Sequence, residues 1–141
     1  IGIAGDHAGY DYKNKMIADL SSLGYDVVDF GPDSEDSVDY PDHVHPLANA
    51  VTEGQVVEGI AICGSGNGVC MTVNKHQDVR GALVWTEELS ALSRQHNDAN
   101  IICIPARFVS YELAMSMVKI FLETEFEGGR HSRRVSKIGC Q

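Results

Sequence analysis

The sequence predicts an α/β fold, a doubly wound three-layer α/β/α sandwich on a five-stranded parallel sheet. Short apolar runs alternate five times with amphipathic segments along the 141 residues, which is typical of a parallel sheet. Two runs, IAIC at 60–63 and NIICI at 100–104, have the near-continuous apolar character of central strands covered on both faces. No repeat, low-complexity tract or change of composition marks a linker, so we expect one domain over residues 1–141.

The first half of the chain is predicted to hold three strands and two helices. IGIA opens as the first strand, and the helix after it places Met16 and Leu20 on one face and ends at Gly24. YDVVDF, at 25–30, is the second strand, and the polar loop GPDSEDSVD follows it. The segment 40–54 reads as a helix with Pro41 in its first turn, although Pro46 leaves its start open. EGIAIC, at 58–63, is the third strand.

The second half repeats this alternation after a glycine-rich loop. A helix runs through Asn74, and GALVW at 81–85 is the fourth strand. Thr86 can cap the helix EELSALSRQH, NIICI is the fifth strand, and a long helix covers 110–126. The tail 126–141 is short and basic, and we expect it to be partly helical.

Charge and cysteine usage exclude several classes of function. With 11 basic and 20 acidic residues, the formal charge of -9 opposes binding to nucleic acid and to anionic membranes. No apolar stretch approaches a membrane span and no signal peptide is visible, although a start at Ile1 leaves open whether residues precede it. The four cysteines form no CxxC pair, so we expect no disulfide framework, no zinc site and a reducing cytoplasm.

The stretch CGSGNG, residues 63–68, is the strongest candidate for a functional site. It lies between a strand and a helix, where parallel sheets bind their ligands. It is neither a Walker A loop nor a GxGxxG dinucleotide fingerprint, because its spacing is GxGxG and no Gly-Lys-Ser/Thr follows. Its backbone N–H groups can face a phosphate or an oxyanion formed during a reaction. For the loop alone, a tight turn with nothing bound is an equally good interpretation.

Three side chains are predicted to share the mouth of this loop. Cys63 ends the third strand, where a helix N-terminus can turn a thiol into a base or nucleophile; a small buried hydrophobe is the alternative. Asp6 and His7 follow the first strand and can serve a sugar hydroxyl, a phosphate or a proton relay. The alternative for Asp6 is a cap on the next helix.

The last third of the chain carries further candidates. His96, followed by Asn97, is either an acid–base group or a cation stabilised by the end of its helix. Four other histidines are interpreted as surface or structural residues: His43, His45, His76 and His131. Four of the six arginines fall in this part of the chain, and forked guanidinium groups suit phosphate: Arg107, Arg130, Arg133 and Arg134. A glycine pair at 128–129 would let the tail fold over a ligand, whereas a solvated basic tail is the alternative.

Taken in order, the motifs GDHAG, DYPD, CGSGNG, NK, SRQHNDAN and EGGRHSRRV resemble those of the ribose-5-phosphate isomerase B and galactose-6-phosphate isomerase family. The resemblance covers essentially the whole chain. It implies a Rossmann-like fold and a metal-independent aldose–ketose isomerase that needs no cofactor and works through a cis-enediolate. It also implies that Cys63 is the general base, because the branch that uses a glutamate has it directly after the last loop glycine, where this chain has Val69.

The resemblance assigns roles to the remaining candidates. His96 would open the sugar ring with help from Asp6, and Ser65 would act with the loop. The anion-binding loop positions are Gly64, Gly66, Asn67 and Gly68. Asn97 would hold reacting oxygens, and Tyr40 matches a tyrosine of the family's pocket. The phosphate group would be bound by His7, Arg107, Arg130 and Arg134, with the tail 126–141 completing that site.

The resemblance further implies a homodimer or a dimer of dimers whose active sites combine both subunits. His96, Asn97 and Arg107 would then face the glycine loop of a neighbouring chain. The expected reaction interconverts ribose 5-phosphate and ribulose 5-phosphate in the pentose phosphate pathway. A 6-phosphohexose such as allose or galactose 6-phosphate is the alternative substrate. A non-catalytic phosphosugar-binding module is the alternative class, although such a module needs neither Cys63 nor His96.

Overall fold

The computed structural model describes residues 1–140 and contains a five-stranded parallel sheet with six helices, which confirms the predicted fold class. The strands are β1 (Gly2–Gly5), β2 (Val28–Asp29), β3 (Gly59–Cys63), β4 (Gly81–Leu83) and β5 (Ile101–Pro105). The helices are α1 (Tyr10–Ser22), α2 (Tyr40–Thr52), α3 (Asn67–Val73), α4 (Glu87–Gln95), α5 (Tyr111–Glu123) and α6 (Arg130–Val135). The strand order is β2-β1-β3-β5-β4, and every pair is parallel.

Each central strand sends alternate side chains to opposite faces of the sheet. Ile60 and Ile62 pack in a core cluster with residues of α1 and α5, against which Leu89 of α4 also packs. Ala61 and Cys63 pack in a second cluster with residues of α2 and α3. The two clusters form the interfaces of a three-layer sandwich, so Cys63 lies on the side of the sheet covered by α2 and α3.

The strand order creates a crevice between β1 and β3. From β1 the chain passes to β2 on one side of the sheet, and it later returns to β3 on the other side of β1. Where connections diverge in this way, the carboxyl ends of the two neighbouring strands open onto a binding site. Asp6 and the loop that begins at Gly64 both lie at this point.

A buried ion pair holds the end of β1 in place. Lys13 of α1 is fully buried, and its ammonium group lies 2.9 Å from a carboxylate oxygen of Asp29 on β2. The Asp29 carboxylate also accepts a hydrogen bond from the Gly31 N–H at 2.8 Å, and the Gly31 carbonyl accepts one from the Gly5 N–H at 3.0 Å. The residue that precedes Asp6 is therefore tied to α1 through β2.

Several predicted elements differ from the structure in extent. The fourth strand, predicted over 81–85, covers Gly81–Leu83, and the long helix, predicted over 110–126, covers Tyr111–Glu123. The second strand was predicted over 25–30, but its ladder covers only Val28–Asp29, because it is an edge strand that pairs with β1 alone. The helix whose start Pro46 left open begins at Tyr40 and continues through Pro46. Within residues 1–140, no helix combines the length and apolar character needed to cross a membrane.

Candidate active site

A cavity of about 410 Å³ opens at the carboxyl ends of β1, β3 and β5. Eight of the predicted site residues line it: Asp6, His7, Tyr40, Cys63, Gly64, Ser65, Gly68 and Arg107. Ala8 and Phe108, which the sequence did not single out, complete the lining. Three adjacent strands thus bring together residues that lie up to about a hundred positions apart in the chain.

The start of the glycine loop is hydrogen-bonded to the segment that follows β5. The Cys63 carbonyl accepts a hydrogen bond from the Ala106 N–H at 2.9 Å, and the Gly64 carbonyl accepts one from the Arg107 N–H at 3.0 Å. Gly66 adopts a φ of 75°, the left-handed region, and a Cβ there would lie 2.5 Å from Leu83 Cδ1. The loop therefore requires glycine at this position, while its amides remain available to an anion. The Asn67 amide differs, because it donates to the Ser65 hydroxyl at 3.3 Å.

Cys63 sits at the floor of the cavity and is only 5% exposed. Val69, where the glutamate of the other family branch would stand, is fully buried in the core beside α2, so no carboxylate occupies that position. Cys70 on α3 is a second thiol near the loop, but it does not line the cavity. A hydrogen bond with Cys103 lowers the pKa of Cys70 to about 7.

Asp6 and His7 are both held by backbone groups. One carboxylate oxygen of Asp6 accepts from the N–H groups of Ala8, at 2.9 Å, and Gly9, at 3.2 Å. The capping role left open for Asp6 is therefore realised in part, while the residue also lines the cavity. The Val38 N–H donates to Nδ1 of His7 at 3.4 Å, so the neutral ring carries its proton on Nε2 and can donate to a ligand from there.

Tyr40 and Arg107 form the walls beside the loop. A Cβ on Gly68 would collide with the Tyr40 ring, so the small residue admits the tyrosine. A Cβ on Gly64 would lie 3.2 Å from Cδ and Nη1 of Arg107, so the guanidinium group lies over the loop. Arg107 thus contacts the loop of its own chain, whereas the resemblance implied the loop of a neighbouring chain.

His96 lies elsewhere, at the end of α4, and it does not line this cavity. Its ring stacks on His131 with centroids 4.3 Å apart and planes inclined by 13°. Glu127 Oε1 lies 3.7 Å from Nε2 of His96 and 3.8 Å from Nε2 of His131. Burial, together with the nearby His96, lowers the pKa of His131. Sequence reasoning did not connect His131 or Glu127 with His96. The available signal was the glycine pair 128–129, between Glu127 and His131, which lets the chain turn back on itself.

The other predicted residues do not line this cavity either. Gly66 and Asn67 belong to the glycine loop, and Asn67 lines a neighbouring pocket of about 370 Å³. Asn97 lines a separate cavity of about 230 Å³ with Arg80 and Ile138. Arg130 and Arg134 are exposed on α6. Within the part of the chain that the structure describes, the predicted site is therefore divided into a cavity group around Cys63 and a second group around His96.

Comparison with known proteins identifies the family. The model of the family described as Ribose/Galactose Isomerase matches residues 1–138. The chain belongs to the ribose/galactose isomerase family. A probable ribose-5-phosphate isomerase B of Mycoplasma pneumoniae is 45% identical over 139 residues, which cover 98% of this chain and 91% of the relative.

Solved structures of ribose/galactose isomerases show the same fold. The ribose-5-phosphate isomerase B of Clostridium thermocellum superposes with a TM-score of 0.96 at 43% identity, over 98% of this chain and 93% of that one. The enzyme of Mycoplasma genitalium with bound ribulose 5-phosphate gives a TM-score of 0.94 at 43% identity, over 97% and 91% of the two chains. The predicted family and fold are thereby confirmed.

The cavity of this ribose/galactose isomerase combines three chemical functions. The Cys63 thiol can exchange a proton, the loop amides can stabilise a negative oxygen, and Arg107 with His7 can bind an anion. This set suits a substrate that already carries a phosphate and becomes more negative at a carbon–oxygen unit during the reaction.

Proposed function

We propose that the chain is a ribose-5-phosphate isomerase of type B, which interconverts ribose 5-phosphate and ribulose 5-phosphate without a metal or cofactor. One observation carries the proposal. Cys63 and the loop residues Gly64, Ser65 and Gly68 line the same cavity as the anion-binding side chains His7 and Arg107. The bound ribulose 5-phosphate in the Mycoplasma genitalium relative supports a pentose phosphate as substrate.

The reaction follows from the position of the thiol. The Cys63 thiolate removes the proton from C2 of the open-chain aldose, and the electrons move into a cis-enediolate. The loop amides stabilise the negative oxygen on C1, and the protonated thiol returns a proton to C1. The proton of the C2 hydroxyl passes to the C1 oxygen at the same stage, which leaves a ketone at C2 and a hydroxyl at C1. A single base serves both carbons because they are bonded to each other, provided that it lies within reach of both.

The phosphate group is bound at the side of the cavity that holds His7 and Arg107. A further cavity of about 540 Å³ shares Asp6, His7 and Tyr40 but is also lined by Asp39 and Asp42. Those two carboxylates repel a phosphate, so the acidic cavity suits sugar hydroxyls instead. When the phosphate is bound at His7 and Arg107, it supplies binding energy at a distance from the reacting carbons. This binding energy orients the reacting carbons toward Cys63.

We further propose that the enzyme is a homodimer in which the second copy supplies His96, Asn97, Arg130 and Arg134. The first support is that these residues lie outside the cavity of their own chain. The second is that an apolar surface is exposed next to that cavity. Trp85 is 53% exposed and Phe108 is 75% exposed, and both line a pocket of about 370 Å³ that shares Ser65 with the cavity. Exposed aromatic surface of this kind marks a protein contact.

In the assembled site His96 and Asp6 would open the sugar ring. An imidazole and a carboxylate on opposite sides of the anomeric centre can exchange protons with the ring oxygen and the anomeric hydroxyl. We place the enzyme in the cytoplasm, because a thiol base requires a reducing compartment.

A coupled assay with ribose 5-phosphate and allose 6-phosphate, run with EDTA present, tests the proposal. We expect the wild-type protein to turn over the pentose and to be unaffected by the chelator. Cys63→Ala should bind the substrate but lose turnover by ~10²–10⁴-fold, as expected when a general base is removed. Cys70→Ser is the matched control, because it removes a thiol outside the cavity, and it should remain active.

The assay also separates the alternatives. Full activity of Cys63→Ala would show that the base is misassigned. Turnover of allose 6-phosphate in preference to the pentose would establish a hexose phosphate isomerase. Binding of both sugars without turnover of either would establish a phosphosugar-binding module.

A further inference from the structure

Three metal-binding groups converge outside the cavity. His96 follows α4, Glu127 precedes α6, and His131 lies in the first turn of α6. One potential ligand atom from each residue lies within 4.8 Å of the other two. We propose that these residues bind a divalent transition metal ion, for which Zn²⁺ is the best match, and that the bound ion inhibits the isomerase by occupying His96.

The donor set selects the metal. Two imidazole nitrogens and one carboxylate oxygen are typical ligands of Zn²⁺, Ni²⁺ and Co²⁺, whereas Mg²⁺ and Ca²⁺ prefer oxygen ligands alone. In a tetrahedral zinc site with bonds of about 2.0 Å, neighbouring ligand atoms are about 3.3 Å apart. The Glu127 oxygen lies 3.7 Å from Nε2 of His96 and 3.8 Å from Nε2 of His131. A shift of a few tenths of an ångström brings both distances to the tetrahedral value.

The backbone already brings the three residues together. The Glu127 N–H donates to the carbonyl of Gln95 at 3.1 Å, which ties Glu127 to the end of α4 beside His96. Gly128 and Gly129 have φ values of 69° and 57°, and their left-handed conformations turn the chain so that His131 returns to Glu127. The site therefore needs no long loop to close on the ion.

One ligand is fixed and two can adjust. The His131 side chain is 11% exposed, whereas those of His96 and Glu127 are 39% and 51% exposed. The stacked, nearly parallel rings of His96 and His131 point their lone pairs side by side, so His96 must turn out of the stack to bind the same ion as His131. Glu127 rotates onto the same ion, and the remaining coordination position stays open to water. Such an open site exchanges its metal with solvent and is stripped by a chelator.

Some nearby charges favour the binding of a cation at this site and others oppose it. His96 lies at the C-terminal end of α4, where the helix dipole favours a cation, and the chain carries a formal charge of -9. Arg130 and Arg134 lie on α6 with His131 and oppose a second positive charge. We therefore expect reversible binding rather than a permanent structural ion.

The inhibition follows from the role proposed for His96, so this part rests on the proposed function. An imidazole whose lone pair is bound to a metal cannot accept or deliver the proton needed for ring opening. The reaction itself requires no metal, and a chelator should relieve the inhibition rather than cause it. The binding of the ion is independent of the reaction.

Titration of the chelator-treated protein with Co²⁺ and Zn²⁺ tests the binding. We expect one Co²⁺ ion per chain, with the visible bands of a tetrahedral site and without a sulfur-to-cobalt charge-transfer band, and we expect Zn²⁺ to displace it. Glu127→Gln and His131→Gln should each weaken binding by ~10-fold or more. His45→Gln is the control, because His45 contacts His76 in a second histidine pair, at 2.8 Å, and should leave the affinity unchanged.

Several results would overturn the inference. Unchanged affinity in Glu127→Gln, whose side chain is exposed and whose loss should not unfold the chain, would exclude this site. A sulfur charge-transfer band would assign the ion to a cysteine, and loss of binding in His45→Gln would assign it to the other histidine pair.

Enzyme inhibition provides a separate readout. Zn²⁺ should inhibit the wild-type isomerase reversibly, and Glu127→Gln should require ~10-fold more Zn²⁺ for the same fractional inhibition. Inhibition that is equal in both proteins would disprove the inhibitory role while leaving the binding result intact. A chain that turns over no sugar would disprove the proposed function and the inhibitory role, and the cobalt titration would still decide whether the site exists.

Discussion

At the scale of single residues, the candidate site depends on positions that must be small. Gly66 adopts a left-handed conformation with Leu83 directly beside it, and Gly68 leaves room for the Tyr40 ring. The sequence identified these glycines from their spacing after a buried strand. It could not show which loop amides are free to bind an anion. The Asn67 amide donates to the Ser65 hydroxyl, and this hydrogen bond forms only in the folded loop.

The two requirements at Gly66 can be separated by a matched pair of substitutions. Gly54 has the same φ of 75°, but a Cβ there meets nothing within 4 Å. We expect Gly54→Ala to lower the free energy of unfolding by about 1–2 kcal/mol, the cost of the strained backbone alone. Gly66→Ala should cost about 1–3 kcal/mol more than this and should also reduce turnover, because Leu83 must move and the backbone of Ile104 and Pro105 lies 3.2 Å from the new Cβ. Urea unfolding of both variants measures the difference, and equal losses would show that crowding at Gly66 has no effect.

At the scale of elements, the sequence predicted the central strands and the long helices because each of them buries a recognisable apolar pattern. Its main error of extent was the second strand, where the exposed edge residues carry little packing information. The order of the strands could not be predicted, because local patterns do not specify which strands are neighbours. Nor could the contact between His96 and His131, which depends on how α6 packs beside the end of α4.

The unit formed by α1, β1 and β2 depends on the ion pair between Lys13 and Asp29. We expect Asp29→Asn to lower the free energy of unfolding by about 3 kcal/mol, because it leaves the fully buried ammonium group without a counter-charge. Lys13→Met should cost less, because Asp29 is 35% exposed and keeps its hydrogen bond to Gly31. Asp11→Asn, which breaks the exposed pair with Lys15, is the control and should cost less than about 1 kcal/mol. Thermal unfolding that gave Asp29→Asn and Asp11→Asn the same cost would contradict this account.

At the scale of the whole molecule, the proposed active site requires two chains. The cavity contains the thiol proposed as the base, and the residues proposed for ring opening lie outside it on the same chain. Neither composition nor periodicity could show that the proposed site is divided between two chains, because the cavity residues and the residues proposed for ring opening occur in the same sequence. The family resemblance implied a shared site, and the exposed aromatic residues beside the cavity support that proposal.

Mixing two inactive variants tests the shared site. We expect Cys63→Ala and His96→Ala to have little activity as separate homodimers. After dissociation and reassociation, about half of the dimers should contain one chain of each kind, and each such dimer has one intact site, so about a quarter of wild-type activity should return. A mixture of Cys63→Ala with the double variant Cys63→Ala/His96→Ala is the control and should stay inactive. Failure of the first mixture to recover, with exchange of subunits confirmed by mass spectrometry, would contradict a site built from both copies.

The central claim is that Cys63 moves a proton between the first two carbons of a phosphosugar, and isomerisation in D₂O tests it most directly. The wild-type enzyme should introduce solvent deuterium into the sugar at C1 or C2, as followed by NMR. Cys63→Ala, although it binds the sugar, should introduce almost none. Deuterium exchange at the wild-type rate in Cys63→Ala would contradict the account.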